Sequence, residues 1–209
     1  MLFDFDAISR KDRYKLLIST IVPRPIAWVV TQDEAGVLNA APFSFFNVLS
    51  DDPPLIAIGI NGRQSGDAKD TATNIRQTRQ FVVNLVGHDN AEGMNVTAIE
   101  LPPTVDEIAE AGLHTAPSVR VAPPRIAESP VALECERFAA LEIGPDRVLI
   151  LGRILAMHVR DEAVIDPANC YIDTPRLGLI GRMHGGGWYA RTTDLFEMPR
   201  IPAEAWNVR

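Results

Sequence analysis

Arg63 and the run Lys69-Asp70-Thr71 set two cations, a carboxylate and a hydroxyl around the expected start of a helix. A polar loop with Arg63, Ser65 and Gly66 leads into that helix, which the pattern carries to Arg76 or Arg79. The free N–H groups of a first turn, together with the positive end of the helix dipole, make such a terminus a receptor for phosphate. Arg63 and Lys69 add charge, and Thr71 adds a hydroxyl. Asp70 suits a first-turn acid that holds the local backbone or orients Lys69. The glycine spacing of a Walker loop is absent. On spacing alone, an ordinary capped surface helix with its charges in solvent also fits.

A second stretch, Asn39 to Asn47, joins small residues to hydrogen-bonding ones. Small side chains let a flat ligand approach the backbone, while Ser44 and Asn47 offer polar contacts beside Phe45. Ser50-Asp51-Asp52-Pro53-Pro54 follows, and the proline pair is expected to end the ladder because neither residue donates an N–H. A third stretch holds His184, Gly185-Gly186-Gly187, Trp188 and Tyr189. Its glycines permit backbone shapes closed to other residues and would let the aromatics meet a ligand. His184 could donate to a phosphate or a ring carbonyl. A flexible loop whose Trp188 and Tyr189 pack on the body of the protein explains the same residues equally well.

Other chemistry finds little support. His88, His114 and His158 are scattered without metal-ligand spacing. No G-x-S-x-G elbow is present, and no βαβ unit surrounds the glycines to make a dinucleotide fingerprint. Glu134 and Glu136 would share one strand face, as paired acids in a glycosidase must, but a solvated outer face accounts for them more simply. Cys135 and Cys170 are expected as reduced, mostly buried thiols.

The elements that must position these residues read as mainly β. The chain has 209 residues, 46% of them hydrophobic, which suits a single domain spanning 1–209. A net charge of −7 argues against general nucleic-acid binding. The acidic N-terminal residues lack a signal-peptide pattern, and no apolar run is long enough for a bilayer, so a cytoplasmic protein without membrane association is expected. A short helix over 7–20, with Ser9 as its N-cap, comes first. Strands are expected at 26–31, 37–46, 55–60 and 81–86, with 55–60 apolar on both faces and therefore central. Two long strands, 131–143 and 147–159, meet at Gly144-Pro145-Asp146. Residues 88–130 form an excursion with helical patches at 91–98 and 105–111, a lid or a dimer contact. Closure of these strands into an antiparallel barrel would remove their exposed edges.

In order along the chain, Pro23-Arg24-Pro25-Ile26-Ala27-Trp28-Val29, Asn39 to Asn47, Asp52-Pro53-Pro54, Lys69-Asp70-Thr71 with Asn74, and the glycine-rich segment ending in Tyr189 resemble the flavin reductase-like family of FMN-binding split barrels, its flavoredoxin-like branch in particular. The resemblance implies an antiparallel split β-barrel with a few peripheral helices, assembled as a homodimer with FMN near the subunit interface. It implies that Ser44, Phe45 and Asn47 meet the isoalloxazine, and that Arg63, Lys69, Asp70 and Thr71 surround the phosphate. Asn84, His184 and Tyr189 are further implied contacts. The implied activity is NAD(P)H-dependent reduction of flavin or a small acceptor through bound FMN, with no side chain acting as acid or base. An electron carrier reduced by a protein partner, or a barrel that binds FMN without turnover, would carry the same residues.

Overall fold

A computed structural model describes residues 1–206, apart from 64–66, 103 and 145. The chain opens with α1 (Arg10–Thr20), whose N-cap Ser9 accepts from the Asp12 N–H at 3.2 Å and donates its hydroxyl to the Asp12 carboxylate. Four strands follow: β1 (Ala27–Gln32), β2 (Leu38–Phe43), β3 (Phe46–Asp51) and β4 (Pro54–Asn61). Next come α2 (Asp70–Thr78) and β5 (Gln80–Leu85). The excursion holds α3 (Ala91–Val96), α4 (Glu107–Glu110) and the short strands β6 (Thr115–Ala116) and β7 (Arg125–Ile126). Two long strands, β8 (Val131–Gly144) and β9 (Arg147–Val159), are followed by short pairs, β10 (Val164–Asp166) with β11 (Tyr171–Ile172) and β12 (Ile180–Arg182) with β13 (Tyr189–Arg191). Among the described residues no helix is long and apolar enough to cross a membrane.

Seven antiparallel strands form one sheet in the order β2-β1-β5-β8-β9-β4-β3. Its two edges, β2 and β3, are consecutive in sequence and separated only by Ser44-Phe45. The sheet is therefore curled until its edges meet at a dipeptide, which is a split barrel. The Gly59 N–H of β4 donates to the Phe45 carbonyl at 2.7 Å, which carries the β3–β4 ladder one residue into this dipeptide. A side chain at 59 would bring a Cβ to 3.2 Å from that of Phe45, so the close approach favours glycine. The expected single strand over 37–46 is thus two strands that break at Ser44. Nor does the proline pair stop the ladder, since Asp51 pairs with Pro54 and the prolines turn β3 back as β4.

Strands β1 and β5 are buried on both faces, and β4 is not. Ile56, Ile58 and Ile60 of β4 point inward to Val29, Phe81, Val83, Leu133 and Ile150, while the residues between them are half-buried. That corrects the expectation of a doubly apolar 55–60. The reason lies in the excursion, which covers β1, β2 and β5 from outside. Met94, Ile108 and Ile126 there form a second core with Trp28, Val30, Ala40 and Val82. Burying side chains of this size is worth about 1.5–3 kcal/mol each. These apolar contacts hold the excursion down against the sheet.

Polar groups fix its register. The Trp28 indole N–H donates to Thr97 Oγ1 at 2.9 Å. Glu134, expected on a solvated face, is 0% exposed. It accepts from the N–H groups of Val119 and Arg120 and is paired with His158 Nε2. Only Glu136 of that pair reaches the surface, beside Arg153. Cys135 is buried as expected, whereas Cys170 is exposed.

Candidate functional site

Helix α2 lies against the barrel with Ala72 and Ile75 in the inner core, and its N-cap residue Lys69 lies beside the seam. Lys69 is its N-cap residue and makes no side-chain cap. Thr73 donates to the Lys69 carbonyl at 3.1 Å, so the N–H groups of Asp70, Thr71 and Ala72 have no acceptor within the helix. This leaves an anion receptor of the expected kind, with the Lys69 ammonium 5.6 Å from the centre of the Phe43 ring. Arg63 is paired with the Asp70 carboxylate. Asp70 therefore orients Arg63 rather than Lys69.

Three cavities adjoin at the seam. One of about 170 Å3 is bounded by Tyr14, Phe43, Ser44, Phe45, Asn61 and Lys69. It shares Tyr14 and Asn61 with a basic basin of about 510 Å3 that holds Arg10, Lys11, Arg63 and Arg147 against one acid, Asp146. At the other end it shares Pro42, Phe43 and Ser44 with a cavity of about 280 Å3 lined by Met94, Asn95, Arg182 and Tyr189. A groove thus leads from concentrated positive charge, across Ser44, to an end where Tyr189 and Met94 stand beside Asn95 and Arg182. In a chain of net charge −7 that concentration is local and defines one end of the groove.

Ser44 is held from below. Arg24 Nε lies 3.4 Å from its hydroxyl oxygen, and the rest of the guanidinium donates to the carbonyls of Ile18, Ile21 and Met183. Burial pushes the Arg24 pKa down from its ordinary value, and nearby Arg182 adds to that. With an arginine donor on its oxygen, the Ser44 hydroxyl keeps its proton for an acceptor in the groove. Arg182 in turn lies over the Tyr189 ring, 4.5 Å from its centre.

Of the expected contacts, Ser44, Phe45, Arg63, Lys69 and Tyr189 line the groove. Thr71 does not offer its hydroxyl, which is buried and donates to Asn39 Oδ1 at 2.8 Å; its N–H is one of the three that lack an acceptor within the helix. Asn84 is 0% exposed, with its amide bonded to the Trp28 carbonyl and the Ile126 N–H in the outer core. It has a packing role and is removed from the candidate contacts. Asn47 is exposed on β3, its side-chain Oδ1 accepting from the Val48 N–H, and lines none of the three cavities. His184 is exposed and stacked on Trp188, ring centres 5.8 Å apart, outside the groove lining. Gln64, Ser65 and Gly66 of the expected loop lie outside the described residues. The residues that sequence reasoning missed are Arg24, Asn39, Arg182 and the basic basin. A cation between two prolines was the one local signal for Arg24.

Residues 19–174 match the model of the flavin reductase like domain. Nitrilotriacetate monooxygenase component B from Bacillus cereus superposes with a TM-score of 0.88 at 32% identity, over 95% of this chain and 98% of that one. The Pseudomonas fluorescens 2-nitrobenzoate 2-nitroreductase NbaA gives 0.87 at 31%, over 97% of each. Flavoredoxin of Desulfovibrio vulgaris (Miyazaki F) shares the fold at a TM-score of 0.75 and 18% identity, over 95% of this chain and 97% of that one. The split barrel, the seam groove and the family match agree, and the chain belongs to the flavin reductase-like family.

Proposed function

We propose that the groove binds FMN and that the protein is an NAD(P)H-dependent reductase of flavin or of a small acceptor. The observation that carries this reading is the order of chemistry along the groove. Free N–H groups with Lys69 and Arg63 suit a phosphate, Asn61 suits a polyol, and Ser44 with Phe45 suits the edge of a flat ring. The donor set fits a flavin mononucleotide, because cations and hydrogen-bond donors dominate one end and a donor hydroxyl sits at the other. Bound flavin would supply two-electron redox chemistry, which no side chain here provides. The chain's own part is to hold the phosphate at α2, to aim the Ser44 hydroxyl through Arg24, and to shape a pocket for the second reactant. The cavity between Ser44, Met94, Asn95, Arg182 and Tyr189 is placed for that reactant, which favours an enzyme over a carrier needing only an exposed ring edge. The names of two similar structures, a monooxygenase component and a nitroreductase, fit both kinds of acceptor.

A homodimer belongs to the same proposal. Val48 and Leu49 on the edge strand β3, together with Leu195, Phe196, Met198 and Ile201 near the C-terminus, are exposed apolar residues that a second copy would cover. The activity is tested by loading purified protein with FMN and mixing it anaerobically with NADH or NADPH. Rapid bleaching of the flavin band is expected with at least one of them. Protein that binds FMN but stays oxidised would overturn the nicotinamide step, and protein that leaves FMN free would overturn the whole reading.

A further inference from the structure

Helix α4 carries a carboxylate that connects the excursion to the first turn of α2. Glu107 is only 5% exposed. Its helix is capped by Asp106, which accepts from the N–H groups of Ile108 and Ala109, and is fastened by Ile108 in the outer core. Glu107 Oε1 accepts from Asn39 Nδ2 at 2.8 Å, and Oε2 accepts from the Ala40 N–H at 3.1 Å. A carboxylate with both oxygens accepting has no donor to offer, so it fixes the Asn39 amide with nitrogen toward Glu107 and oxygen away. That oxygen accepts a hydrogen bond from the Thr71 hydroxyl at 2.8 Å. One turn on, Asn74 Nδ2 donates to Thr31 Oγ1 at 3.1 Å. Thr71 is the second residue of α2, and its N–H is one of the three free donors of the first turn.

We propose that Glu107 is a positioning residue for the anion end of the groove: by fixing the orientation of Asn39 it sets Thr71, and with it the aim of the α2 N–H groups. The excursion is then a buttress of the ligand site rather than its cover. This rests on the reading that α2 receives a phosphate. A structural role alone is a poor account of the residue. Burial pushes the Glu107 carboxyl above its ordinary range, against the opposing hydrogen bonds from Ala40 and Asn39, and Asp70 pushes it further. A neutral group of the same shape would avoid that cost, and buried charges exchanged for neutral side chains are often no less stable. What a neutral amide cannot supply is two acceptors, and these are what dictate the direction of the relay.

The test is Glu107→Gln, which keeps shape and volume but puts a donor against a donor. Dissociation constants for FMN and riboflavin are measured with the wild type and the variant, alongside Tm. FMN is expected to weaken about fivefold or more and riboflavin by less than about twofold, with Tm within about 3 °C. Thr71→Val, which cuts the far end of the relay, is expected to give the same selective loss and serves if the first variant does not fold. Equal weakening of both ligands, or unchanged FMN binding in both variants, would overturn the role of Glu107. Wild-type protein that binds FMN no better than riboflavin would instead remove the phosphate reading on which it rests.

Discussion

The guanidinium of Arg24 sits 3.4 Å from the Ser44 hydroxyl and also holds the carbonyls that end α1 and precede the glycine-rich segment. One side chain therefore ties two separate pieces of the chain to Ser44 at the seam of the barrel. Its backbone joins in, since Arg24 and Arg182 exchange N–H···O bonds at 3.0 and 2.8 Å. Removing it with Arg24→Ala would leave the Ile18, Ile21 and Met183 carbonyls short of a donor. A loss of roughly 2–4 kcal/mol is expected, at about 2–4 °C of Tm for each kcal/mol. Ser44→Ala should barely move Tm yet slow reduction of bound flavin. Thermal melts and anaerobic reduction rates on both variants check this.

Acid should loosen the excursion through Glu134. Burial alone would raise its pKa, but the hydrogen bonds from His158, Val119 and Arg120 outweigh burial and hold it below the ordinary carboxylate range. A folded-state pKa below the unfolded one gives stability that is present above the unfolded value and lost as pH falls through the folded one. The wild type should therefore lose Tm on going from about pH 5 to pH 3, and Glu134→Gln should lose less over that range while being less stable at pH 7. Melting curves across pH decide it.

Gly152 is packed where no side chain fits. A Cβ there would meet Phe81 Cζ at 2.5 Å and Ile56 Cγ1 at 3.2 Å, both in the inner core. Gly152→Ala should cost about 1–3 kcal/mol by overpacking, read as a lower midpoint in urea with unchanged slope.

The two thiols should separate by reactivity. Cys170 is exposed, while burial pushes the Cys135 thiol far above its ordinary pKa. A thiol reagent at neutral pH should label Cys170 in the folded protein and reach Cys135 only after denaturation. Mass spectrometry of the labelled peptides reports both.

What could be read in the sequence was local. The Ser9 cap, the α2 start and the β8–β9 hairpin each depend on neighbours a few residues away, and the structure holds all three. What could not be read depends on contacts made only after folding. The break at Ser44 follows from pairing with two different partners, β1 up to Phe43 and β4 from Phe45 onward. Glu134 looks solvated until the backbone at Val119 and Arg120 closes over it. Asn39 and Glu107 stand 68 residues apart, and Asn84, a contact implied by the family resemblance, accepts from the Ile126 N–H of β7. Polar side chains at such positions satisfy distant backbone, a role that residue type alone does not distinguish from ligand binding.

The central claim is that α2 with Lys69 and Arg63 receives a phosphate whose attached ring lies along Ser44 and Phe45. The most direct measurement is the affinity of the Lys69→Ala/Arg63→Ala variant for FMN and for riboflavin. Loss of charge-assisted contacts predicts about tenfold or greater weakening for FMN and less than about twofold for riboflavin. Equal loss for both ligands, or none for FMN, would contradict the claim.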